Sequence, residues 1–389
     1  MKLKHCIYFV CLFLTTHVSS ETRINGFASI VAGLDTDDKN FVNTPYTDEM
    51  SFKPESKFAL QISTDLSDDL TAVAQIMARG ANDFDAEFEW AYLSYDINEN
   101  YTIRAGKLRI PFYKYSDYLD VGYAYPWIRP PRAMYSLTFS TYEGLSLISN
   151  FSLSDWDISS NLMYGNVEGT FFETTLPTDG TLTDSMGINV QLSKEWFSMY
   201  FAYLGTKVDI PRSDFESISQ IVDLVSPGDG TSIKLDNDYA DFLGIGFTID
   251  YENWLFNSEW SNVAIEDNIT LDSVQWYASL AYRFDNIMPY ITYQTTETKR
   301  EKASISNNRI PAQIHPAQPP LNMFLQGILD SQIFEYKAYT VGVRYDFHPS
   351  AALKLEYNSY FDIIDNDSLG SISDPETSGN ISVAIDLVF

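Results

Sequence analysis

Alternation of apolar and polar residues over runs of about ten positions is the feature that most constrains this chain. In one run Val274, Trp276 and Ala278 occupy every second position, and polar residues lie between most of them. A period of two is typical of β-strands, whose successive side chains point to opposite faces. We expect no window of comparable length to hold the 3.6-residue period of an amphipathic helix. The sequence therefore predicts an essentially all-β protein.

Sixteen such runs follow one another along the chain. The predicted strands are 22–33, 57–65, 70–80, 86–97, 101–110, 138–150, 154–166, 184–193, 196–208, 239–250, 253–265, 272–284, 287–298, 335–347, 351–363 and 379–389. The turns between them are short, and they alternate with outer connections that are mostly long. Long connections are predicted at 34–56, 111–137, 167–183, 209–238, 299–334 and 364–378, and brief ones at 81–85 and 266–271. Short turns at one end and long loops at the other are typical of a transmembrane antiparallel β-barrel.

A soluble β-sandwich or β-helix is the rival architecture, because its strands alternate as well. Aromatic residues at strand ends, such as Trp156, Trp196 and Trp254, favour the barrel, since they match the girdles at a bilayer interface. Long connections confined to one end favour it too. The last run has an apolar residue at every second position from Ile381 and stops on Phe389. That ending resembles the signal read by the bacterial outer-membrane assembly machinery, which becomes a predicted partner.

A sheet in hydrocarbon must satisfy all of its backbone donors and acceptors, so the first strand is expected to pair with the last. Barrels of sixteen to eighteen strands leave an aqueous channel, whereas eight-stranded barrels are filled by side chains. The predicted function is therefore a water-filled passage through the bacterial outer membrane.

Charge and the N-terminal segment narrow the class further. The chain has 25 Lys and Arg against 53 Asp and Glu, a formal net charge of -28, whereas a nucleic-acid binder needs a basic surface. Residues 1–20 combine two lysines, an apolar stretch and small residues before a cleavage position, which predicts a secretory signal peptide and a barrel over 21–389. Both cysteines, Cys6 and Cys11, lie inside that segment.

The most informative segment joins the fifth predicted strand to connection 111–137. Lys107 and Arg109 share one face of that strand and are expected to point into the lumen. Arg104 is out of phase with them, which suggests a bulge at Gly106. The connection is aromatic and rich in proline, unlike the acidic loops elsewhere. We therefore expect it to fold into the barrel and narrow it.

This segment resembles Gram-negative outer-membrane porins. "AGKLRIPFY" at 105–113 is similar to the Gly-basic-x-basic-x-Pro-Phe stretch of the phosphate-selective-porin-like branch, and "DVGYAYPWIRPP" at 120–131 is similar to the constriction loop that follows it. The resemblance implies a sixteen-stranded homotrimeric barrel whose third outer connection folds inside. The connection at 81–85 departs from it, because it is too short to be the latch of some trimeric porins.

Charged residues on and around this segment form the candidate pore constriction. They are Lys107, Arg109, Lys114, Arg129, Arg132, Glu87, Glu89, Asp117 and Asp120. A basic cluster facing acids would set up a transverse field in the channel, and Arg and Lys at a constriction favour anions. The alternative is that these charges pair with one another and hold the loop against the wall.

The remaining acidic loops predict a solvated surface that meets outer-membrane lipid and lipopolysaccharide. Asp365, Asp367 and Glu376 partly fit a calcium loop, but Leu369 occupies a ligand position and no helices flank the run, so no metal is assigned.

Catalytic motifs are missing from the sequence. His315 and His348 remain after the first twenty residues, and neither has an obvious partner in strand register. We therefore expect no enzyme and no cofactor, and a porin that passes small hydrophilic solutes and ions. The alternatives are a barrel-type enzyme and an adhesin or structural protein with a closed lumen.

Overall fold

In the computed structural model, the described residues form a closed antiparallel barrel of sixteen strands. The structure describes residues 21–37, 44–136, 139–171, 178–211, 213–225, 233–266, 268, 270–299, 333–365 and 376–389. The predicted signal peptide and His315 lie outside these residues, as does most of the candidate calcium loop. The strands are β1 Thr22–Asp35, β2 Lys57–Ser67, β3 Leu70–Arg79, β4 Ala86–Asn98, β5 Tyr101–Arg109, β6 Thr141–Leu153, β7 Trp156–Phe171, β8 Thr178–Lys194, β9 Phe197–Ile210, β10 Leu235–Tyr251, β11 Trp254–Ile265, β12 Asp272–Tyr282, β13 Ile287–Lys299, β14 Phe334–His348, β15 Ala351–Asp365 and β16 Glu376–Val388.

Each strand pairs with its neighbour in sequence, and β1 pairs with β16 to close the barrel. The closing register runs from Phe27 opposite Val388 to Asp35 opposite Asn380. The terminal residue continues it, because the Gly26 amide donates to the Phe389 carbonyl at 2.8 Å and the Phe389 amide donates back at 3.0 Å. The prediction that the first strand meets the last is confirmed.

The distribution of side chains is the reverse of that in a soluble protein. On β16, Ile381 and Val383 are about two-fifths exposed (41% and 40%), while Ser382 between them and Asn380 before them are fully buried. Most strands repeat this pattern, with large apolar residues on the outer face and polar residues facing the lumen. Such an exterior suits lipid, and the polar face must find its partners inside.

An aromatic girdle surrounds the barrel at the end that carries the short turns. Trp254 packs edge-on against Tyr282 with ring centroids 4.7 Å apart, and Trp196 packs against Tyr251 at 5.9 Å. The predicted aromatic positions at strand ends are thus exposed on the rim, where amphipathic rings favour a membrane interface.

The barrel wall is taller than predicted from β7 to β10. Connection 167–183 is mostly strand, and β9 and β10 also extend beyond their predicted ends. The additional residues include Val167, Phe171, Leu182 and Ile210, which are buried in the lumen. Loops were predicted for these segments because only their inward face is apolar.

A helix, α1, spans Ser213–Val225 in the connection between β9 and β10, where an acidic loop was expected. The prediction that no segment holds a helical period was wrong here. Ile218 and Val222 are buried one helical turn apart, which is the spacing that places two side chains on one face. Within the described residues, no helix is both long and apolar enough to cross a bilayer.

Two isoleucines on the outer face of β13 test the membrane-facing exterior. Ile291 lies near the middle of the apolar band and Ile287 begins the strand at the aromatic rim, and both are exposed. We expect Ile291→Arg to lower the free energy of unfolding in lipid bilayers by about 2–4 kcal/mol and Ile287→Arg by about 0–1 kcal/mol, because the cost of a cation falls towards the interface. Equal losses in a denaturant titration would contradict this orientation.

Candidate functional site

The connection after β5 enters the barrel, as predicted. We call residues 111–136 the lumen loop. Trp127 is 1% exposed, and its Nε1 donates to Thr292 Oγ1 on β13 at 2.9 Å. The Tyr123 hydroxyl donates to the carbonyl of Pro349 at 2.8 Å, in the turn between β14 and β15. Since that turn lies at the opposite end from where the loop leaves β5, the lumen loop runs through most of the depth of the barrel.

Aromatic packing fills the space between the lumen loop and one side of the wall. Phe112 packs edge-on against Phe242 of β10 with centroids 4.8 Å apart, and Tyr113 lies 5.3 Å from the same ring. Trp127 contacts Tyr277 of β12 at 5.8 Å. The apolar upper faces of β7 to β10 join the same buried cluster. The apolar character of the loop is thus explained by burial inside the barrel.

Two cations on β14 and β15 hold the part of the lumen loop that lies nearest the short turns, which we call its lower part. They bind it through its backbone carbonyl oxygens. Lys354 Nζ donates to Gly122 O at 2.6 Å and to Trp127 O at 2.5 Å. Arg344 donates to the Tyr123 carbonyl at 2.7 Å and to the Tyr125 carbonyl at 3.0 Å. Backbone carbonyls accept such bonds without any particular side chain in the loop, so the wall determines where the loop lies.

The charge of Lys354 is balanced by Asp386 on β16, at 2.8 Å, and both side chains are fully buried. Asp386 also accepts a hydrogen bond from Ser29 of β1 at 2.5 Å, which joins the pair to the strand that closes the barrel. A Cβ at Gly122 would lie 2.2 Å from an Asp386 oxygen. Only glycine therefore allows the loop to approach the pair this closely.

A second attachment lies on the part of the wall formed by β2 to β5 and uses a side chain of the loop itself. Arg109 contacts Glu89 at 3.1 Å and Asp120 at 2.6 Å. Asp120 is also contacted by Lys57 at 3.3 Å and by Arg79 at 3.4 Å. We call these five residues the charged cluster. It links β2, β3, β4 and β5 to the lumen loop and contains the predicted residues Arg109, Glu89 and Asp120.

A bulge in β4 makes the charged cluster possible. Gln75 pairs with Trp90 and Ile76 pairs with Phe88, so Glu89 is an extra residue with no partner in the ladder. Bulges re-aim side chains, and this one turns Glu89 into the lumen, where Arg79 reaches it at 2.6 Å. The bulge was predicted at Gly106 on β5, which instead stays in register but has a φ of +139°, a conformation that glycine tolerates.

A third attachment holds the part of the loop nearest the long connections. Glu55, just before β2, forms ion pairs with Arg129 and with Arg132, the latter at 2.8 Å. The Tyr46 hydroxyl donates to the same carboxylate at 2.8 Å. The two predicted arginines are therefore paired, as in the alternative in which the charges hold the loop against the wall.

Lys107 does not lie where the sequence predicted. It pairs in register with Ala91 and Glu143, on the outer face that Leu93 shares, and its Nζ donates to the Phe88 carbonyl at 3.0 Å. The inward face of β5 instead carries Arg104, Gly106 and Leu108, as their pairing with inward residues of β6 requires. By alternation Arg109 should face outward like Lys107. Its side chain reaches the lumen because the pairing of β4 with β5 ends at Lys107, before Arg109.

The other predicted residues fall on the edges of the site. Glu87 is more than half exposed and lies 3.4 Å from Arg79, next to the charged cluster. Asp117 is exposed on the lumen loop. The Lys114 amide donates to Glu259 Oε2 on β11 at 3.1 Å, while its ammonium group lies 5.5 Å from the centre of the Tyr115 ring.

Burial and charge shift the pKa values of groups on the inserted segments in opposite directions. Burial by itself raises the pKa of Asp120, but the three cations of the charged cluster outweigh it and hold that pKa well below its usual value. The pKa of Glu55 is likewise lowered, because Arg129 and Arg132 outweigh burial. Burial lowers the pKa of Lys114 to about 8, and the attraction of Glu259 offsets this only in part.

Several wall residues that fasten the loop were missed by sequence reasoning. They are Glu55, Lys57, Arg79, Glu259, Arg344, Lys354, Glu356 and Asp386. A signal was present for Asp386, which lies between Ile385 and Leu387 in an otherwise apolar strand, because a charge at that depth must face the lumen. Among the residues that the structure describes, no group of three potential ligands could hold a metal ion.

A closed barrel with an apolar exterior, a polar lumen and an inserted loop defines the class: a transmembrane β-barrel with the porin fold. Solved structures agree. The chain is similar to the anion-selective porin from Comamonas acidovorans, with 10% identity, a TM-score of 0.57, and coverage of 95% of this chain and 100% of that one. It is also similar to the outer membrane channel DcaP of Acinetobacter baumannii, with 11% identity, a TM-score of 0.56, and coverage of 95% of this chain and 97% of that one.

A third similar structure is OmpT of Vibrio cholerae in its trimer form, with 10% identity, a TM-score of 0.53, and coverage of 95% of this chain and 99% of that one. No protein-family model matches the sequence. No curated protein matches it either. The likeness therefore concerns the fold.

The buried pair of Lys354 and Asp386 gives a direct test of the attachment to β15 and β16. Lys354→Met leaves a carboxylate buried without its cation, and we expect it to lower the free energy of unfolding by about 3–5 kcal/mol. Lys354→Met with Asp386→Leu removes both charges and should recover much of that loss. The measurement is a double-mutant cycle in lipid bilayers, and a double variant as unstable as the sum of the single variants would contradict the pairing.

The lowered pKa values of Glu55 and Asp120 predict how the loop responds to acid. A carboxyl whose pKa is lower in the folded state contributes stability above its unfolded pKa of about 4, and loses it only as pH falls through the folded value. We therefore expect amide hydrogen-exchange protection factors in the lumen loop to be unchanged between about pH 7 and about pH 5. Glu55→Gln should lower protection near Arg129 at both pH values, and loss of protection in the unaltered protein at pH 5 would contradict the ion pairs.

Proposed function

We propose that this protein is an outer-membrane channel for small hydrophilic solutes and ions, and that its passage runs beside the lumen loop. The observation that carries the proposal is the charged cluster, which spans the gap between the β2–β5 wall and the loop. There Arg79 and Lys57 keep 25% and 18% of their side-chain surface exposed, and Glu87 keeps 55%. Charged side chains in contact with water at the narrow part of a barrel are what a polar passage requires.

Among the residues that the structure describes, the other side of the loop offers no comparable path. From β7 to β10 the upper wall is apolar and packs against Phe112, Tyr113 and Phe139. An ion in such a region would lose its hydration without gaining partners. The proposed passage is therefore confined to the side of the lumen that the charged cluster occupies.

The charges in and next to the charged cluster are balanced. Three cations, Lys57, Arg79 and Arg109, face three acids, Glu87, Glu89 and Asp120. The expected anion preference depended on unpaired basic residues, but Lys107 faces outward and Arg129 and Arg132 are paired with Glu55. We therefore propose a transverse field with weak selectivity between anions and cations.

A homotrimer is part of the same proposal. Support comes from the similar structure of OmpT from Vibrio cholerae, which is a trimer form. Analytical ultracentrifugation of the protein in a mild detergent measures the mass of the assembly directly, and a monomer at all protein concentrations would remove this part of the proposal.

A channel needs no catalytic group, and we propose that the protein is not an enzyme.

A closed structural barrel is the second candidate, favoured by the extent to which the loop fills the lumen. Trp127 and Tyr125 are almost completely buried, and the loop is fastened at three places. Planar-bilayer recordings separate the two candidates, because stepwise conductance is expected of a channel and no conductance of a structural protein.

Arg79 and Lys107 form a matched pair for testing the location of the passage. Arg79→Gln removes a cation that contacts water in the charged cluster, so we expect the reversal potential in a salt gradient to shift towards cation selectivity. Lys107→Gln removes the same charge from the outer face and should leave the potential unchanged. Equal shifts, or no shift with Arg79→Gln, would place the passage elsewhere.

A further inference from the structure

An open cavity lies at the short-turn end of the lumen, below the charged cluster. Its volume is about 510 Å³, and its walls come from the lumen loop, β16 and strands β1 to β4. Asn25, Gln61 and Gln75 contribute side-chain amides, Asp117 contributes a carboxylate from the loop, and Trp90 contributes an indole. This volume falls within the range of about 300–1,000 Å³ that is typical of small-molecule sites.

Two polar atoms in the cavity wall have no hydrogen-bond partner within the described part of the chain. They are Oε1 of Gln75, a residue that is 4% exposed, and Nε1 of Trp90. The Gln75 amide nitrogen is engaged separately, by a hydrogen bond to Gln61 Oε1 at 3.4 Å. Both atoms are almost fully covered, and buried polar atoms in proteins are nearly always hydrogen bonded, so this acceptor and this donor on adjacent strands mark the part of the wall where a ligand that both donates and accepts would gain partners after a small shift of the side chains.

The indole of Trp90 is held in a fixed position. The Arg109 guanidinium lies over its ring at 5.2 Å from the centroid, and Arg109 is itself fixed by ion pairs with Glu89 and Asp120. The bulge at Glu89 directly precedes Trp90 and turns both side chains inward. A rigid aromatic ring offers a flat apolar surface at low entropic cost to a ligand.

We propose that this cavity binds an uncharged, hydroxyl-rich solute of about monosaccharide size. Amide and carboxylate groups in the wall can each pair with neighbouring hydroxyl groups, and the indole can cover the C–H face of a sugar ring. An anionic ligand is disfavoured, because Asp117 is among the residues that line the cavity and no Lys or Arg is. The inference rests on the proposed function, since it names a solute class that the channel passes.

Binding of D-glucose to the purified protein in detergent, measured by calorimetry, tests the site without requiring conductance. We expect saturable binding that Trp90→Ala weakens about tenfold, equivalent to about 1.4 kcal/mol. The control is Trp254→Ala, which removes an indole from the outer rim and should leave binding unchanged. Gln75→Leu is a second variant at the site, and it should weaken binding even if Trp90→Ala does not fold.

Asp117→Asn distinguishes a sugar from a small cation, with ethanolamine as the competing probe. We expect a modest loss of glucose affinity and no saturable binding of ethanolamine by the unaltered protein. Saturable ethanolamine binding that Asp117→Asn abolishes would overturn the uncharged class. Absence of saturable glucose binding, as expected if water alone fills the cavity, would overturn the site.

Planar-bilayer recordings separate failure of the site from failure of the channel. Glucose that reduces ion current saturably, with the effect weakened by Gln75→Leu, supports both proposals. Calorimetric binding without conductance supports the site and contradicts the channel. Conductance without calorimetric binding supports the channel and overturns the site.

Discussion

The hydrogen-bonding demand of the backbone in hydrocarbon governs everything else in this structure. Lipid offers no donors or acceptors, so the sheet must close, and the pairing of Gly26 with Phe389 completes the last ladder. Closure puts one face of every strand against lipid and the other in the lumen. On β16 the consequence is visible residue by residue, because Ile381, Val383 and Ile385 are exposed and Asn380, Ser382 and Asp386 are completely buried.

A polar lumen needs partners for its side chains, and the lumen loop supplies many of them. Lys354 and Arg344 use loop carbonyls, Glu259 receives the Tyr135 hydroxyl at 2.5 Å, and Glu356 receives the Ile128 amide at 3.1 Å. Buried charges are costly unless they are paired and hydrogen bonded. The loop and the wall therefore stabilise each other, and neither arrangement is expected to persist without the other.

The sequence was sufficient for the barrel because strand alternation is a local property. All sixteen strands and the inward course of the 111–137 connection could be predicted from runs of about ten residues and from the apolar composition of one loop. The charged cluster could not. Glu89 reaches Arg109 only because of a bulge in β4, and Lys107 faces outward because β5 keeps its register where a bulge was expected. Alternation defines two faces of a strand, but a one-residue irregularity in a neighbour decides which charges meet across the lumen.

The bulge in β4 also connects the charged cluster with the cavity that lies below it. An extra residue at position 89 turns Glu89 towards Arg79 and Arg109 and leaves Trp90 facing inward beside Gln75. Arg109 then lies over the Trp90 ring, so the narrow part of the proposed passage and the cavity below it share one side chain. A change at Arg109 is therefore expected to alter the position of the indole. This coupling follows from a single residue inserted in one strand, and in the proposed channel it would link selection by charge to recognition of the solute.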